Sequence, residues 1–192
     1  LGWGANFLDY DNDGDLDLYV VNGRVQADYP GGMGLVRIDK LYRNDGNKKF
    51  TESAGTEGIY GNDAKEAGAL ADYDSNGFLD LFIVASYLEE EPHHRLYKNR
   101  GNKNSWITIQ LTGTKSNRDA VGTRIVLNAN GVKQIREVTA GSSYISQNSL
   151  AQTFGLGKAQ TIDSIEILWP SGTSQKLQNV PVNQKLMITE SN

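Results

Sequence analysis

Asp9, Asp11, Asp13, Asp15 and Asp17 place a carboxylate on every second residue, with Gly14 among them. Hard divalent cations take several oxygens at once. A turn that gathers positions 1, 3, 5 and 9 of a loop around one centre supplies them, with the backbone carbonyl of position 7. The spacing therefore predicts a Ca2+ site made by Asp9, Asp11, Asp13 and Asp17 with the carbonyl of Asp15. Position 6 must turn where a Cβ would obstruct it, and that residue is Gly14. A helix-loop-helix site would continue to a bidentate glutamate at position 12. Val20 stands there instead, within Leu18-Tyr19-Val20-Val21, so a strand is expected to follow the loop.

The pattern recurs. Asp72, Asp74, Asn76 and Asp80 again offer side-chain oxygens at positions 1, 3, 5 and 9, Gly77 holds position 6, and Leu81-Phe82-Ile83-Val84 follows. Position 7 is now Phe78, whose side chain cannot ligate, which fits a carbonyl ligand and makes the Asp15 side chain dispensable. Two copies in register favour Ca2+ loops over Asx-rich surface turns, the plainer reading of such residues. Two Ca2+ sites are expected, the second weaker because Asn76 replaces a carboxylate.

Other chemistry finds less support. With no cysteine there is no disulfide, thiolate nucleophile or Cys-type zinc site. His93 and His94 are adjacent, and neighbours in a strand point to opposite faces, so a solvated loop is favoured over a shared metal. A glycosidase needs one carboxyl of raised pKa, which Ca2+ beside it would depress. Ser142, Ser143 and Ser146 have no nearby base, so their hydroxyls are expected to satisfy backbone groups or to lie on a recognition surface. Trp3, Trp106, Trp169, Tyr29, Tyr60 and Tyr144 could stack on sugar rings, with core packing as the default for strand aromatics. No catalytic residue is assigned.

The loops must be positioned by something, and the repeat extends beyond them. Leu41-Tyr42-Arg43-Asn44-Asp45-Gly46-Asn47 is echoed by Leu96-Tyr97-Lys98-Asn99-Arg100-Gly101-Asn102. The first repeat has the longer linker, carrying Tyr29-Pro30-Gly31-Gly32-Met33-Gly34. Apolar runs before and after each loop (residues 3–8 and 67–71 before) read as two strands bridged by the ion loop, with a further strand such as 49–52 after the Asn-x-Gly turn. Each repeat is expected to be a small antiparallel sheet, over about 1–60 and 61–103. From 104 to 192 the Asp-rich loops vanish. Alternating strands are predicted at 106–111, 123–127, 133–139, 162–169, 174–177 and 185–189, with tight turns at Asn130-Gly131 and Pro170-Ser171-Gly172. The fold class is all-β: two blade-like repeats with Ca2+ loops, then a small antiparallel β-sandwich.

The loops and the Leu-Tyr-basic-Asn segments resemble the FG-GAP or VCBS type of β-propeller blade over residues 1–103. The resemblance implies Asp9, Asp11, Asp13 and Asp17 as ligands in one blade and Asp72, Asp74, Asn76 and Asp80 in the next. The second half resembles the ASPIC/UnbV domain, on Asp119-Ala120-Val121-Gly122-Thr123-Arg124-Ile125, Gly141 to Gln147, Phe154-Gly155-Leu156-Gly157 and Trp169-Pro170-Ser171-Gly172. That family commonly ends secreted proteins of this type, which implies an architecture and no chemistry.

The 192 residues hold 19 basic and 23 acidic side chains, a net charge of −4 that two bound Ca2+ would largely neutralise. No nucleic-acid partner is indicated, and no segment is apolar enough for a membrane span. Carboxylate loops suit an extracellular or cell-surface protein, where free Ca2+ is high. The chain starts at Leu1 without a signal peptide, so either a leader was removed or it is part of something longer. Two blades do not close a propeller. The partners expected are the rest of a longer propeller or other chains, a homopolymer of this chain included. The expected function is a non-enzymatic, calcium-binding adhesion or assembly module. A carbohydrate-binding module with a glycan ligand is the alternative, and an extracellular hydrolase follows at a distance.

Overall fold

A computed structural model describes residues 2–23, 38–60, 64–85 and 93–191. Among them are fourteen strands and no helix. The linker from Tyr29 to Gly34 and the segment Glu89 to Pro92 lie outside the described residues.

The first sheet runs β1 (Gly2–Leu8), β2 (Asp17–Asn22), β3 (Lys40–Asn44), β4 (Phe50–Glu52), each antiparallel to the next. The second holds β5 (Lys65–Ala71), β6 (Asp80–Ala85) and β7 (Arg95–Tyr97) in the same up-and-down order. In each repeat the acidic loop joins the first two strands, as the sequence predicts. Alternation does the work in β2, whose residues are buried and half-buried in turn, because successive side chains point to opposite faces. The inward set, Leu8, Tyr19, Val21, Leu41, Leu70, Leu81 and Ile83, forms one core shared by both sheets. A buried polar cluster joins them as well: Asp39 Oδ2 accepts from Tyr19 Oη at 2.5 Å and pairs with Lys65 Nζ at 3.5 Å.

The second half is a sandwich. One sheet is ordered β10 (Val132–Glu137), β9 (Arg124–Ala129), β12 (Thr161–Leu168), β13 (Ser174–Pro181), and the other β11 (Gln152–Gly157), β8 (Ser105–Thr112), β14 (Gln184–Thr189). Ile107, Ile109 and Phe154 from one sheet meet Ile125, Leu127, Ile165 and Ile167 from the other in a dry core. Two features differ from the sequence reading. β14 pairs parallel to β8, because the two-residue link after β13 crosses to the opposite sheet instead of folding back as a hairpin. β11 is an additional strand: four of its six residues are buried in succession, so no alternation marks it.

The two halves meet along the blade edges. Ser149 N donates to Leu70 O at 2.8 Å and Leu70 N to Asn148 Oδ1 at 3.0 Å, while Ala5 N donates to Ser143 Oγ at 3.0 Å. The serine-rich segment thus satisfies backbone groups of both β1 and β5, and Ser142 Oγ accepts from Asn148 N.

Candidate metal centres

Each acidic loop is organised by hydrogen bonds to its own carboxylates. In the first, Asp9 accepts from Asp13 N (Oδ1, 3.1 Å) and Gly14 N (Oδ2, 3.0 Å), and Asp17 Oδ2 accepts from Tyr10 N at 3.0 Å. The second repeats this atom for atom: Asp72 accepts from Asn76 N (3.0 Å) and Gly77 N (2.9 Å), and Asp80 from Tyr73 N (3.0 Å). Asn12 and Ser75 take positive φ of 55° and 61°, and Gly14 and Gly77 of 103° and 89°. A glycine at position 6 accommodates that φ without cost.

The Leu-Tyr-basic-Asn segment holds each loop shut. Asn44 N donates to Asp17 Oδ1 at 2.8 Å, and Asn44 Nδ2 to Leu16 O at 3.2 Å. Asn99 N donates to Asp80 Oδ1 at 2.7 Å, and Asn99 Nδ2 to Leu79 O at 3.3 Å. Sequence reasoning missed these two asparagines as positioning residues, although their recurrence in register was visible.

Carboxylate oxygens of Asp9, Asp11 and Asp17 lie within 4.8 Å of one another, as do those of Asp72, Asp74 and Asp80. Asp13 is exposed and outside the first cluster, its Oδ1 accepting from Asp15 N at 2.9 Å; Asn76 Oδ1 accepts likewise from Phe78 N at 2.8 Å. The Asp15 side chain is exposed and that of Phe78 is buried against Gly101. Burial, with help from neighbouring carboxylates, pushes Asp9 and Asp17 up to about 7. Burial and the neighbouring Asp13 raise Asp11 in the same direction. An all-oxygen set of crowded, partly buried acids is the donor set that a hard divalent cation neutralises, so these residues fit such an ion.

The other candidates fall elsewhere. His94 Nδ1 accepts from Ala85 N at 3.1 Å and so caps a strand, while His93 is exposed. Trp169 is core and Trp106 half-buried, whereas Trp3 and Tyr144 form a surface pair with ring centroids 5.0 Å apart. Tyr60 is exposed. Ser142, Ser143 and Ser146 stand in one turn, where the Ser142 and Ser143 hydroxyls accept from the backbone amides of Asn148 and Ala5.

Propeller-like blades that open on paired acidic loops define a repeat class, and residues 9–83 match the FG-GAP-like repeat family model. Residues 113–192 match that of ASPIC and UnbV, so the chain joins FG-GAP-like repeats to an ASPIC and UnbV segment. It is similar to Cartilage acidic protein 1 of Xenopus tropicalis, 27% identical over 166 residues, covering 85% of this chain and 25% of that protein. The protein of that name from Homo sapiens is 26% identical over 165 residues (85% and 24%), and that from Mus musculus 25% over 183 residues (94% and 27%). The chain spans about a quarter of the length of the curated relatives it matches.

Proposed function

We propose that the chain is a non-enzymatic, extracellular calcium-binding adhesion or assembly module, divided near residue 104. Ca2+ rigidifies the hairpin that opens each blade. The observation that carries this reading is the repetition of one loop, bond for bond, around two carboxylate clusters. Asp9, Asp11 and Asp17 would hold one ion and Asp72, Asp74 and Asp80 the other, with Asp13, Asn76 and the carbonyls of Asp15 and Phe78 completing the shells. A bound Ca2+ supplies the positive charge that lets these carboxylates stay ionised side by side. Function then lies in the surfaces so held, including β4 and β7, which end their sheets and offer edges to further blades or to other copies of the chain. The relatives' name and the family matches support an extracellular setting; among the described residues no helix is long and apolar enough to cross a membrane.

Calorimetric titration with Ca2+ tests the reading, with two sites expected in the native chain and one in each of Asp11→Ala and Asp74→Ala. At Ca2+ about 100 times the dissociation constant each site adds about 2.7 kcal/mol, which for a chain of this size is a Tm shift of roughly 5–10 °C. Two sites retained in both variants would sink the assignment.

The exposed Trp3 and Tyr144 pair favours carbohydrate binding as a second reading. Glycan-array binding at saturating Ca2+, lost in Trp3→Ala, would support it; binding unaffected by that change would not.

A further inference from the structure

Both ion loops lie beneath the second half of the chain. Asp9 is only 3% exposed, and what covers it is the backbone of β11. A Cβ placed on Gly155 would stand 2.2 Å from Asp9 Oδ2 and 2.4 Å from the Asn12 Cα, so no side chain fits between strand and loop. Gly157 N donates to Asn12 O at 2.9 Å, and Gln134 Nε2 fixes the covering peptide by donating to Gly155 O at 2.6 Å. From β10, Arg136, its guanidinium over the Phe154 ring at 5.1 Å, lines the same cavity as Asp9. The second loop is touched by a side chain instead: Trp106 lies over Gly77, where a Cβ would stand 1.9 Å from the indole. Its first carboxylate, Asp72, stays half-exposed. The loops also hold each other, since Asn12 Nδ2 donates to Gly77 O at 3.0 Å.

This contact has a physical consequence when the first loop loses its ion. Without the ion, three crowded carboxylates repel one another with only partial compensation from Arg136, and desolvated like charges are costly. The same loop is the seat of β11, since Gly155 rests directly on Asp9 and Asn12, so a loop that relaxes unseats the strand. Lifting β11 breaks the Gly157 bond to Asn12 and frees the adjoining surface of the second half.

We propose that the second half is the clamp of the first ion loop: seating of β11 on Asp9 and Asn12 and Ca2+ binding by that loop are one coupled event. Coupling of this kind is reciprocal, so a defect in seating must weaken the first site as much as loss of the ion weakens seating. The second loop, with Asp72 open to solvent, is largely outside the coupling. The inference rests on the Ca2+ reading given above.

The test uses the whole chain. Hydrogen exchange is followed by NMR at the Gly157 amide and at the Ser149 amide, which bonds Leu70 O, with Ile165 in the central strand β12 as internal control. Chelation is expected to speed exchange at Gly157 and Ser149 by about tenfold or more and to leave Ile165 protected, as local opening below global unfolding does. Unchanged exchange at Gly157, or equal loss at Ile165, would overturn the proposal. In the reverse direction, Gly155→Ala is expected to weaken the first site by about tenfold or more while the second changes less than about threefold, as supporting contacts to a metal site do. Equal weakening of both sites, or of neither, would overturn it. Should Gly155→Ala not fold, Gln134→Ala removes the bond to the Gly155 carbonyl, along with the one its Oε1 accepts from Arg136, and is expected to weaken the first site in the same direction. A native chain that binds no Ca2+ overturns the metal reading itself. Two intact sites with unaltered exchange overturn the clamp alone.

Discussion

Lys98 Nζ stands 2.6 Å from Asp74 Oδ2, inside the second carboxylate cluster. Arg43, at the matching place in the first repeat, turns away from its loop to Asp45, with Nε 3.0 Å and a terminal nitrogen 2.9 Å from Oδ1. The cause is two residues further on. The first repeat has Asp45 there and the second has Arg100, so Lys98 lacks the carboxylate that draws Arg43 aside. The Lys98 hydrogen bond holds the Asp74 carboxyl below its usual range, and a bound cation must displace that ammonium.

Replacing Lys98 with Gln should therefore tighten the second site and leave the first unchanged. Arg100→Asp should act in the same direction, by giving Lys98 the partner that Arg43 has. The pair is exposed, so the gain is modest, about two- to fivefold in calorimetric affinity. A weaker second site in Lys98→Gln would show that the lysine supports the loop instead of competing for it.

The asparagines that buttress the loops should differ in reach. Asn44→Ala removes the bond to Leu16 O in the first loop and the one its Oδ1 accepts from Gly46 N in the following turn, whereas Asn99 Nδ2 also donates to Tyr10 O at 2.7 Å, across to the first loop. Asn44→Ala should weaken the first site by about tenfold, the range for outer contacts of metal ligands. Asn99→Ala should weaken both. Each should also cost about 1 kcal/mol of stability for the half-buried groups left unpaired, readable by denaturant titration.

Stabilisation by Ca2+ should grow with pH. Burial raises Asp9 and Asp17 to about 7 in the ion-free fold, above the unfolded value near 3.8. A raised carboxyl contributes stability that is present below the unfolded value and lost as pH rises through the folded one. The ion-free chain should thus lose stability between about pH 4 and pH 8, while protons cease to compete for the site over its upper part. The gap between melting temperatures with and without Ca2+ should widen from pH 5 to pH 8; a constant gap would show that these carboxyls titrate normally.

Glu190 governs the acid limit of the second half. Its carboxylate accepts from the Thr114, Lys115 and Ser116 amides at 2.9, 2.9 and 2.7 Å, and from the Ser116 and Ser171 hydroxyls at 2.9 and 2.5 Å. Desolvation opposes ionisation, but the Ser171, Ser116 and Thr114 hydrogen bonds outweigh it and bring the group down to about 2 from 4.5. A depressed carboxyl contributes stability above its unfolded value and loses it as pH falls toward the folded one. The melting temperature of Glu190→Gln should lie below that of the native chain at pH 6, and the two should converge between pH 4 and pH 2.

The acidic loops were legible because their residue types stand at fixed offsets, and Asp9, Asp72 and their followers recur at those offsets. Strands with one wet face, such as β2, were legible through alternation. β11 was not, since burial on both faces erases the period. Nor was the cluster of Asp39, Lys65 and Tyr19, whose members come from three separate places in the chain and meet only when the two sheets pack. The parallel pairing of β14 with β8 was hidden as well, because a short link states that two strands are neighbours in sequence and not which sheet the second one joins.

By itself the sequence determined the two acidic loops, the repeat that carries them, the all-β character and the change of composition near residue 104. Local spacing suffices for each of these, since backbone geometry converts it directly into a turn or a pleat. The tertiary structure alone decided which cations compete for the loops and which surfaces cover them. Whether Lys98 reaches Asp74, or Gly155 closes over Asp9, depends on how separate sheets are seated, and that is set by packing between residues far apart in the chain.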